Sequence, residues 1–201
     1  MIRVLLVHDS TLMRSALESL LSAEDDLEVS SAPWDQVMGG LAALRPDICL
    51  ADIDGSTATA PLSDPRLVRH TDGAGCALVV LADPSRPGLL RKAYAARARG
   101  FVDRDAVPQR LVEAIRRVFE GERFVDESLA FGFLQAAEMP LTPREVGVLA
   151  LAAEGESIAD IAGRLHLSHG TVRNYLTAIT RKTGARNRVD AIRIAHGAGW
   201  V

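Results

Sequence analysis

The feature that most constrains the fold is a regular alternation of short apolar runs with helical patterns over the first 120 residues. Five runs are rich in Val, Ile, Leu and Ala, namely Ile2–Val7, Leu27–Ala32, Asp47–Asp52, Cys76–Ala82 and Gly100–Val102. Near-continuous apolar runs are typical of strands buried on both faces, whereas strands with one wet face alternate in polarity. These runs therefore predict a parallel sheet that is covered by helices on both sides.

Helical periodicity fills most of the intervals between these runs. The predicted helices are Leu12–Ala23, Trp34–Leu44, Arg86–Ala98 and Ala106–Glu120. We therefore expect a doubly wound α/β domain over residues 1–120. One interval, Ile53–Gly75, is rich in Gly, Pro, Ser, Thr and Asp. That composition predicts a long and partly irregular connection, with a short helix around Pro65–His70.

A second, all-α region follows a linker. Residues 121–138 are predicted to form this linker, with a helix over Asp126–Ala137, and the apolar runs typical of strands disappear after it. In residues 139–201, three side chains stand at N-cap positions, namely Thr142, Ser157 and Ser168. Pro and Glu follow Thr142 at the first and third helical positions, as in a capping box. We expect four helices here, the last over about Asn187–His196.

The charge and the cysteines restrict the classes of protein that fit. Residues 1–138 contain 15 Lys+Arg and 21 Asp+Glu, a net charge of −6, whereas residues 139–201 contain 8 and 5, a net charge of +3. This difference indicates two modules with different partners, of which the basic one suits nucleic acid. No apolar stretch reaches the roughly 18–20 residues of a membrane span, and the N-terminus reads as a strand and not as a signal peptide. We expect a cytoplasmic protein with no membrane partner, in which Cys49 and Cys76 are buried thiols.

Two of the predicted helices are joined by a tight turn at Leu165–Ser168, which is the arrangement of a helix-turn-helix motif. In the later helix, Val172, Leu176 and Ile179 share an inward face. The outer face then carries Arg173, Asn174, Thr177 and Arg181. Arg reads guanine edges and Asn reads adenine edges, so Arg173 and Asn174 are candidate base contacts. Candidate phosphate contacts are Ser168, Thr171, Arg181 and Lys182. The solvated faces of a small helical bundle would produce the same pattern.

The segments LTPRE, VLALAAEGESIADIAGRL and HLSHGTVRNYL, followed by Lys182 and Arg188, occur at consistent spacing. On these segments, residues 141–191 resemble the DNA-binding domain of LuxR-type (NarL/FixJ) transcription factors. The resemblance implies that the third helix is a recognition helix and that the fourth pairs two subunits. It also implies that Arg173, Asn174 and Thr177 occupy base-contacting positions. Where relatives often carry Asn and Lys, this chain has Ile158 and Ala159, and Thr177 stands where Lys is common. Fewer phosphate contacts are therefore expected.

Charged residues also follow the predicted strands of the first region. Asp9 follows the first strand, Asp52 ends the third and Arg104 follows the fifth. The carboxyl ends of parallel strands meet at one edge of the sheet, where ligands bind in open α/β folds. Clustered carboxylates suit Mg²⁺, one carboxylate can attack phosphorus, and Arg104 can pair with the resulting phosphate. A carboxylate at a strand end is also a common polar terminus with no such role.

The segments IRVLLVHDS, RPDICLADID, ALVVLADPS and RGFVDRDAVPQRLVEAI resemble the receiver domain of bacterial response regulators. This resemblance covers about residues 1–120 and implies a flavodoxin-like (βα)5 fold. It places Asp52 at the phospho-accepting position and Asp9 at one of two acidic metal-site positions. It also places the backbone carbonyl of Asp54 at a third metal-ligand position, so that the implied Mg²⁺ site is formed by Asp9, Asp52 and Asp54.

The sequence departs from the receiver pattern at several positions of this pocket. His8 replaces the second acidic residue, Ala82 replaces a Ser or Thr, and Arg104 replaces a nearly invariant Lys. The Met-Pro that usually follows the accepting aspartate is Gly55-Ser56. Losing a carboxylate weakens Mg²⁺ binding, and Ala82 has no hydroxyl to sense a phosphate. The sequence therefore predicts an atypical receiver, in which Mg²⁺ binding is weakly supported and no other cofactor is expected.

Together, the two resemblances predict a transcriptional regulator, and not an enzyme, that binds a repeat operator in double-stranded DNA as a dimer. Two alternatives stay open. One is a conventional regulator that a sensor histidine kinase phosphorylates at Asp52. The other is a protein-interaction module that does not bind DNA alone. A small molecule or a protein bound at the receiver pocket would be a further means of control.

Overall fold

A computed structural model describes residues 1–54, 62, 64–71 and 75–201. By contacts, the chain divides into two compact units, one of residues 1–84 and 89–133 and the other of residues 85–88 and 134–201. The first unit thus continues past position 120, and the predicted domain boundaries at 120 and 138 stay a prediction. Within the described residues, no helix combines the length and apolar character needed to cross a bilayer.

The first unit contains a six-stranded parallel sheet in the order β2-β1-β3-β4-β5-β6. Its strands are β1 (Ile2–Val7), β2 (Leu27–Ala32), β3 (Ile48–Asp52), β4 (Ala77–Ala82), β5 (Gly100–Asp103) and β6 (Phe124–Val125). The first five confirm the predicted strands and the doubly wound class. The sixth lies in the predicted linker and was missed, because two residues are too few to show a period. Phe124 is buried there, with the Arg110 and Arg117 guanidinium groups over its ring.

Helices cover this sheet as the apolar runs predict. They are α1 (Thr11–Leu21), α2 (Val37–Leu44), α3 (Pro65–Thr71), α4 (Pro87–Ala95), α5 (Pro108–Phe119) and α6 (Ala130–Ala137). Alternate residues of the central strands supply two separate cores, for example Cys49 and Ala51 to one, and Ile48 and Leu50 to the other. The short helix predicted near Pro65–His70 is confirmed as α3. Most of the irregular connection predicted around it lies outside the described residues.

The two cysteines lie in the core of the first unit, as predicted. Cys49 and Cys76 are buried free thiols. Burial raises the pKa of both thiols, in the case of Cys76 to about 12. Since the thiolate is the reactive form, both side chains act as small apolar groups and not as nucleophiles.

The second unit holds α7 (Pro143–Ala153), α8 (Ile158–Leu165), α9 (His169–Thr183) and α10 (Arg188–Gly197). Each predicted N-cap is confirmed, since the hydroxyls of Thr142, Ser157 and Ser168 accept backbone N–H bonds from the first turns of α7, α8 and α9. Gly184 ends α9 at φ +68°, a backbone conformation that glycine adopts without strain. The four helices pack around one core, with Val148, Leu149, Ile161, Val172 and Ile179 fully buried.

Candidate functional site

The sheet order brings the predicted pocket residues of the first unit to one edge. β1, β3, β4 and β5 are neighbours in the sheet and run parallel, so their carboxyl ends lie side by side. An open cleft of about 240 Å³ at this edge is lined by His8, Asp9, Ser10, Trp34, Asp52, Asp54 and Arg104. The predicted charged residues therefore meet, although up to 95 positions separate them in the sequence.

Asp52 is the buried centre of this cleft. It ends β3 with only 5% of its surface exposed. Its Oδ1 accepts a hydrogen bond from the Asp54 backbone N–H at 3.1 Å, and its Oδ2 lies 3.0 Å from Nε2 of His8. A buried carboxylate requires such donors, because burial without partners would cost several kcal/mol. Both oxygens of Asp52 are thus engaged by this chain's own groups.

His8 is held in a single tautomer by its neighbours. Its Nδ1 accepts a hydrogen bond from the Ser10 backbone N–H at 3.0 Å. A neutral imidazole has one donor and one acceptor nitrogen, so Nε2 carries the hydrogen and donates it to Asp52. His8 as a whole is 8% exposed. Ser10 is itself fixed as the N-cap of α1, and its hydroxyl accepts a bond from the Met13 N–H.

Arg104 supplies the positive charge of the cleft. Its guanidinium lies 3.7 Å from Asp52 Oδ2 and 3.5 Å from Asp54 Oδ2. These distances are those of ion pairs and not of short hydrogen bonds. Its backbone N–H donates to the carbonyl of Ala82 at 3.1 Å, which ties the end of β5 to the end of β4. Ala82 is 1% exposed, and its methyl group offers no hydrogen-bond donor or acceptor.

Trp34 is a pocket residue that sequence reasoning missed. Its backbone N–H donates to Asp9 Oδ1 at 3.1 Å, and its indole N–H donates to the Asp52 carbonyl at 3.0 Å. The ring is 3% exposed, so it closes the cleft on the β2 side. The sequence did contain a signal for this role, because Trp34 comes two residues after an apolar strand. The carboxyl ends of parallel strands meet at one edge of the sheet, so Trp34 could have been expected near Asp9.

The predicted Mg²⁺ site combines the carboxylates of Asp9 and Asp52 with the backbone carbonyl of Asp54, and the side chains around it fit a metal ion poorly. Among the described residues, no three His, Cys, Asp or Glu side chains are grouped as they would be to hold a metal ion. Neither nitrogen of His8 presents a lone pair to the cleft, and a guanidinium lies beside both Asp52 and Asp54. This assignment stays a prediction. Gly55-Ser56, the other departure near Asp52, lies outside the described residues.

The second candidate surface is the outer face of α9. Val172 and Ile179 are fully buried and Leu176 packs beside them, as the periodicity predicts. The opposite face leaves Arg173, Asn174 and Thr177 exposed. The core thus fixes the rotation of α9 about its axis. It leaves on the outside the three side chains that are predicted to contact base edges.

The predicted phosphate contacts fall into two kinds. Ser168, Thr171 and Arg181 lie at the two ends of α9, where Ser168 and Arg181 are exposed and Thr171 is partly exposed. The Ser168 and Thr171 hydroxyls lie 2.8 Å apart. Lys182, in contrast, has an internal partner, because its Nζ donates to Glu145 Oε2 at 2.8 Å.

Glu145 connects the start of α7 to the end of α9. Its carboxylate also accepts bonds from the backbone N–H and the hydroxyl of Thr142. Burial by itself would raise the pKa of Glu145, but the bonds from Lys182 and Thr142 outweigh it and hold that pKa below its usual value. Lys182 therefore fixes α9 against α7, a role that its position on α9 did not predict.

Comparison with known proteins assigns both units. Residues 139–195 match the family described as "Bacterial regulatory proteins, luxR family". The chain is 51% identical over 201 residues to the response regulator RamR of Streptomyces coelicolor, covering 100% of this chain and 98% of the relative. It is 33% identical to the transcriptional regulatory protein DesR of Bacillus subtilis, and the match covers 100% of this chain and 99% of that relative.

The fold of the full chain is that of solved response regulators. A structure of two RcsB dimers bound to two parallel DNAs matches with a TM-score of 0.60 over 98% of each chain, at 20% identity. The relatives regulate transcription and are not enzymes, as the sequence predicts for this chain. The parallel sheet, the helix-turn-helix unit and the full-length similarity lead to one conclusion. This chain belongs to the response regulators, as a DNA-binding transcriptional regulator of the LuxR type.

Proposed function

We propose that this chain binds a repeated operator as a dimer, with α9 in the major groove, and that it does so in the cytoplasm, where the DNA lies. The observation that carries this proposal is the exposed row of Arg173, Asn174 and Thr177 opposite a fully buried apolar face. A dimer is proposed because one small helix-turn-helix unit buries too little surface for tight specific binding. The RcsB structure, which holds dimers on DNA, supports this arrangement.

Each outer side chain has a defined task in this proposal. Arg173 reads guanine through its two parallel N–H donors, and Asn174 reads adenine through its amide, each discriminating by about 1–3 kcal/mol. Thr177 contacts a base edge or a thymine methyl group, while Ser168, Thr171 and Arg181 bind phosphates at the two ends of the helix.

The test begins with selection of binding sequences from a random duplex pool, followed by titration of the best sequence. Arg173→Ala is expected to weaken binding by about 5–150-fold and to relax preference at one base pair. Arg117→Ala is the matched control, since Arg117 is an arginine of the first unit paired with Glu122, and no change is expected. Equal loss in both variants, or failure of the wild type to enrich any sequence, would contradict the proposal.

We also propose that phosphorylation of Asp52 is not the main switch of this receiver. A switch has to bind its signal differently in its two states, and Ala82 lacks the hydroxyl that would report a phosphoryl group. The carboxylate is also engaged already by His8 and Asp54. Control then falls to a ligand or protein at the receiver, or to the amount of protein, and not to a kinase.

Intact-mass measurement tests this second proposal. The full-length chain is incubated with acetyl phosphate and Mg²⁺, with Asp52→Asn as the control that lacks the acceptor. Little or no adduct is expected in the wild type. A stoichiometric adduct that is absent from Asp52→Asn, together with tighter DNA binding by the modified protein, would contradict the proposal.

A further inference from the structure

The donor set around Asp52 points to a replacement for the metal ion. Within the part of the chain that the structure describes, three groups surround its carboxylate: His8 Nε2–H at 3.0 Å, the Asp54 N–H at 3.1 Å and the Arg104 guanidinium at 3.7 Å. Together they supply what a divalent cation supplies to a carboxylate, namely positive charge on one side and directed contacts to both oxygens.

We propose that His8 and Arg104 take the place of a divalent cation at Asp52, so that this receiver holds its acceptor carboxylate in a paired state without metal. His8 provides the directed contact, because the Ser10 N–H fixes its tautomer with the hydrogen on Nε2. Arg104 provides the charge and links Asp52 to Asp54. A metal ion would have to displace the His8 imidazole from Asp52. It would also have to approach the Arg104 guanidinium against electrostatic repulsion.

Trp34 also helps to position the two aspartates of the cleft. Its indole N–H holds the Asp52 carbonyl and its backbone N–H holds Asp9. Asp9 and Asp52, two of the predicted metal ligands, are thus positioned by the chain itself. The same contacts make Trp34 a fluorescent reporter of the cleft, since the chain has two tryptophans and Trp200 lies in the other unit.

The inference rests on the proposed function, because it gives a structural reason why phosphorylation would not control this receiver. Its failure is nevertheless distinguishable. DNA binding by the same preparation tests the proposed function, whereas Mg²⁺ binding tests the replacement of the metal. Wild-type protein that binds DNA and also binds Mg²⁺ at the cleft as tightly as His8→Asp would overturn only the inference.

The experiment titrates full-length protein with MgCl₂ and follows Trp34 fluorescence in a Trp200→Phe background. His8→Asp adds a carboxylate to the cleft. The control is His169→Asp, which makes the same change of charge at an exposed histidine of the other unit. We expect His8→Asp to bind Mg²⁺ about 10–100-fold more tightly than the wild type and the His169→Asp control. Equal affinity in all three proteins, or no binding by His8→Asp when it is folded, would overturn the inference.

A second measurement covers the case in which His8→Asp does not fold. In wild-type protein, long-range ¹H–¹⁵N correlation spectra of the histidine rings distinguish the two neutral tautomers and the cation. The inference requires His8 to carry its hydrogen on Nε2 alone. The Nδ1–H tautomer, or rapid exchange between tautomers, would overturn it, because His8 would then not donate steadily to Asp52.

Discussion

The two units of this regulator differ in the residues on which their proposed functions depend. In the helix-turn-helix unit, the caps at Thr142, Ser157 and Ser168 and an apolar core position α9, and the proposed DNA contacts lie on its exposed face. In the receiver, the sheet and its two cores also depend on many apolar residues, whereas the proposed mode of control depends on His8, Ala82 and Arg104 alone. Many interchangeable apolar residues thus specify a fold, whereas a few specific side chains determine what a signalling site can do.

The contact between Glu145 and Lys182, which holds α9 against α7, should have the greatest effect on stability. Glu145→Ala removes the partner of Lys182 and half of the capping box of α7. We expect the free energy of unfolding to fall by about 2–3 kcal/mol, less than for a fully buried pair because Lys182 is partly exposed. Urea denaturation followed by circular dichroism measures this. A loss below 0.5 kcal/mol, on the order of a surface pair, would show that Glu145 does not fix α9.

The same carboxylate predicts a pH dependence. The pKa of Glu145 is lower in the folded chain than in the unfolded chain, so its stabilising effect is fully present above the unfolded pKa. This contribution is lost as the pH falls below the unfolded value and through the folded one. Wild-type stability should therefore decline more steeply than that of Glu145→Gln in acid. Parallel curves for the two proteins would contradict this prediction.

A hydroxyl introduced at position 82 tests how much of the proposed loss of phosphate sensing is due to Ala82. Ala82→Ser places a polar group at a buried position, and we expect a loss of about 1 kcal/mol in unfolding free energy. Ala77→Ser, at the partly exposed start of β4, is the matched control and should change little. If Ala82→Ser alone made DNA binding respond to acetyl phosphate, the missing hydroxyl would be the sole defect of the pocket, contrary to the role assigned to His8.

Arg181 and Lys182 are adjacent on α9, but only Lys182 has a side-chain partner in the described residues, which predicts different effects on DNA binding. Arg181→Ala should reduce the slope of log affinity against log salt by about 0.9, the value for one phosphate contact. Lys182→Met should leave that slope unchanged, because its Nζ is bonded to Glu145. Affinity titrations at several salt concentrations measure both slopes. Equal reductions of the slope in both variants would show that Lys182 also binds a phosphate.

The smallest effect concerns the turn before the recognition helix. His166 ends α8 at φ +54°, a left-handed conformation that costs a side-chain-bearing residue about 1 kcal/mol. His166→Gly should therefore raise the unfolding free energy by about 0.5–1 kcal/mol, with DNA affinity unchanged. Thermal denaturation measures the change. A destabilised variant would indicate that the imidazole has a contact that outweighs the backbone strain.

Local patterns were sufficient to predict much of this molecule. The five apolar runs predicted their strands because burial on both faces leaves a continuous signature, and the caps predicted helix starts because they satisfy nearby N–H groups. Contacts between distant residues could not be predicted in this way. The pairing of Lys182 with Glu145 spans 37 positions, and the hydrogen bond from Trp34 to Asp52 spans 18. Both depend on packing that no local pattern records.

The proposal that DNA binding does not depend on phosphorylation is tested most directly by one comparison of affinities. The dissociation constant for a selected operator is measured for wild-type protein before and after acetyl phosphate with Mg²⁺, and for Asp52→Asn. We predict that all three values agree within about twofold, well below the roughly 5–150-fold of ordinary allosteric coupling. A gain of about tenfold on treatment that Asp52→Asn abolishes would contradict the account and restore Asp52 as the switch.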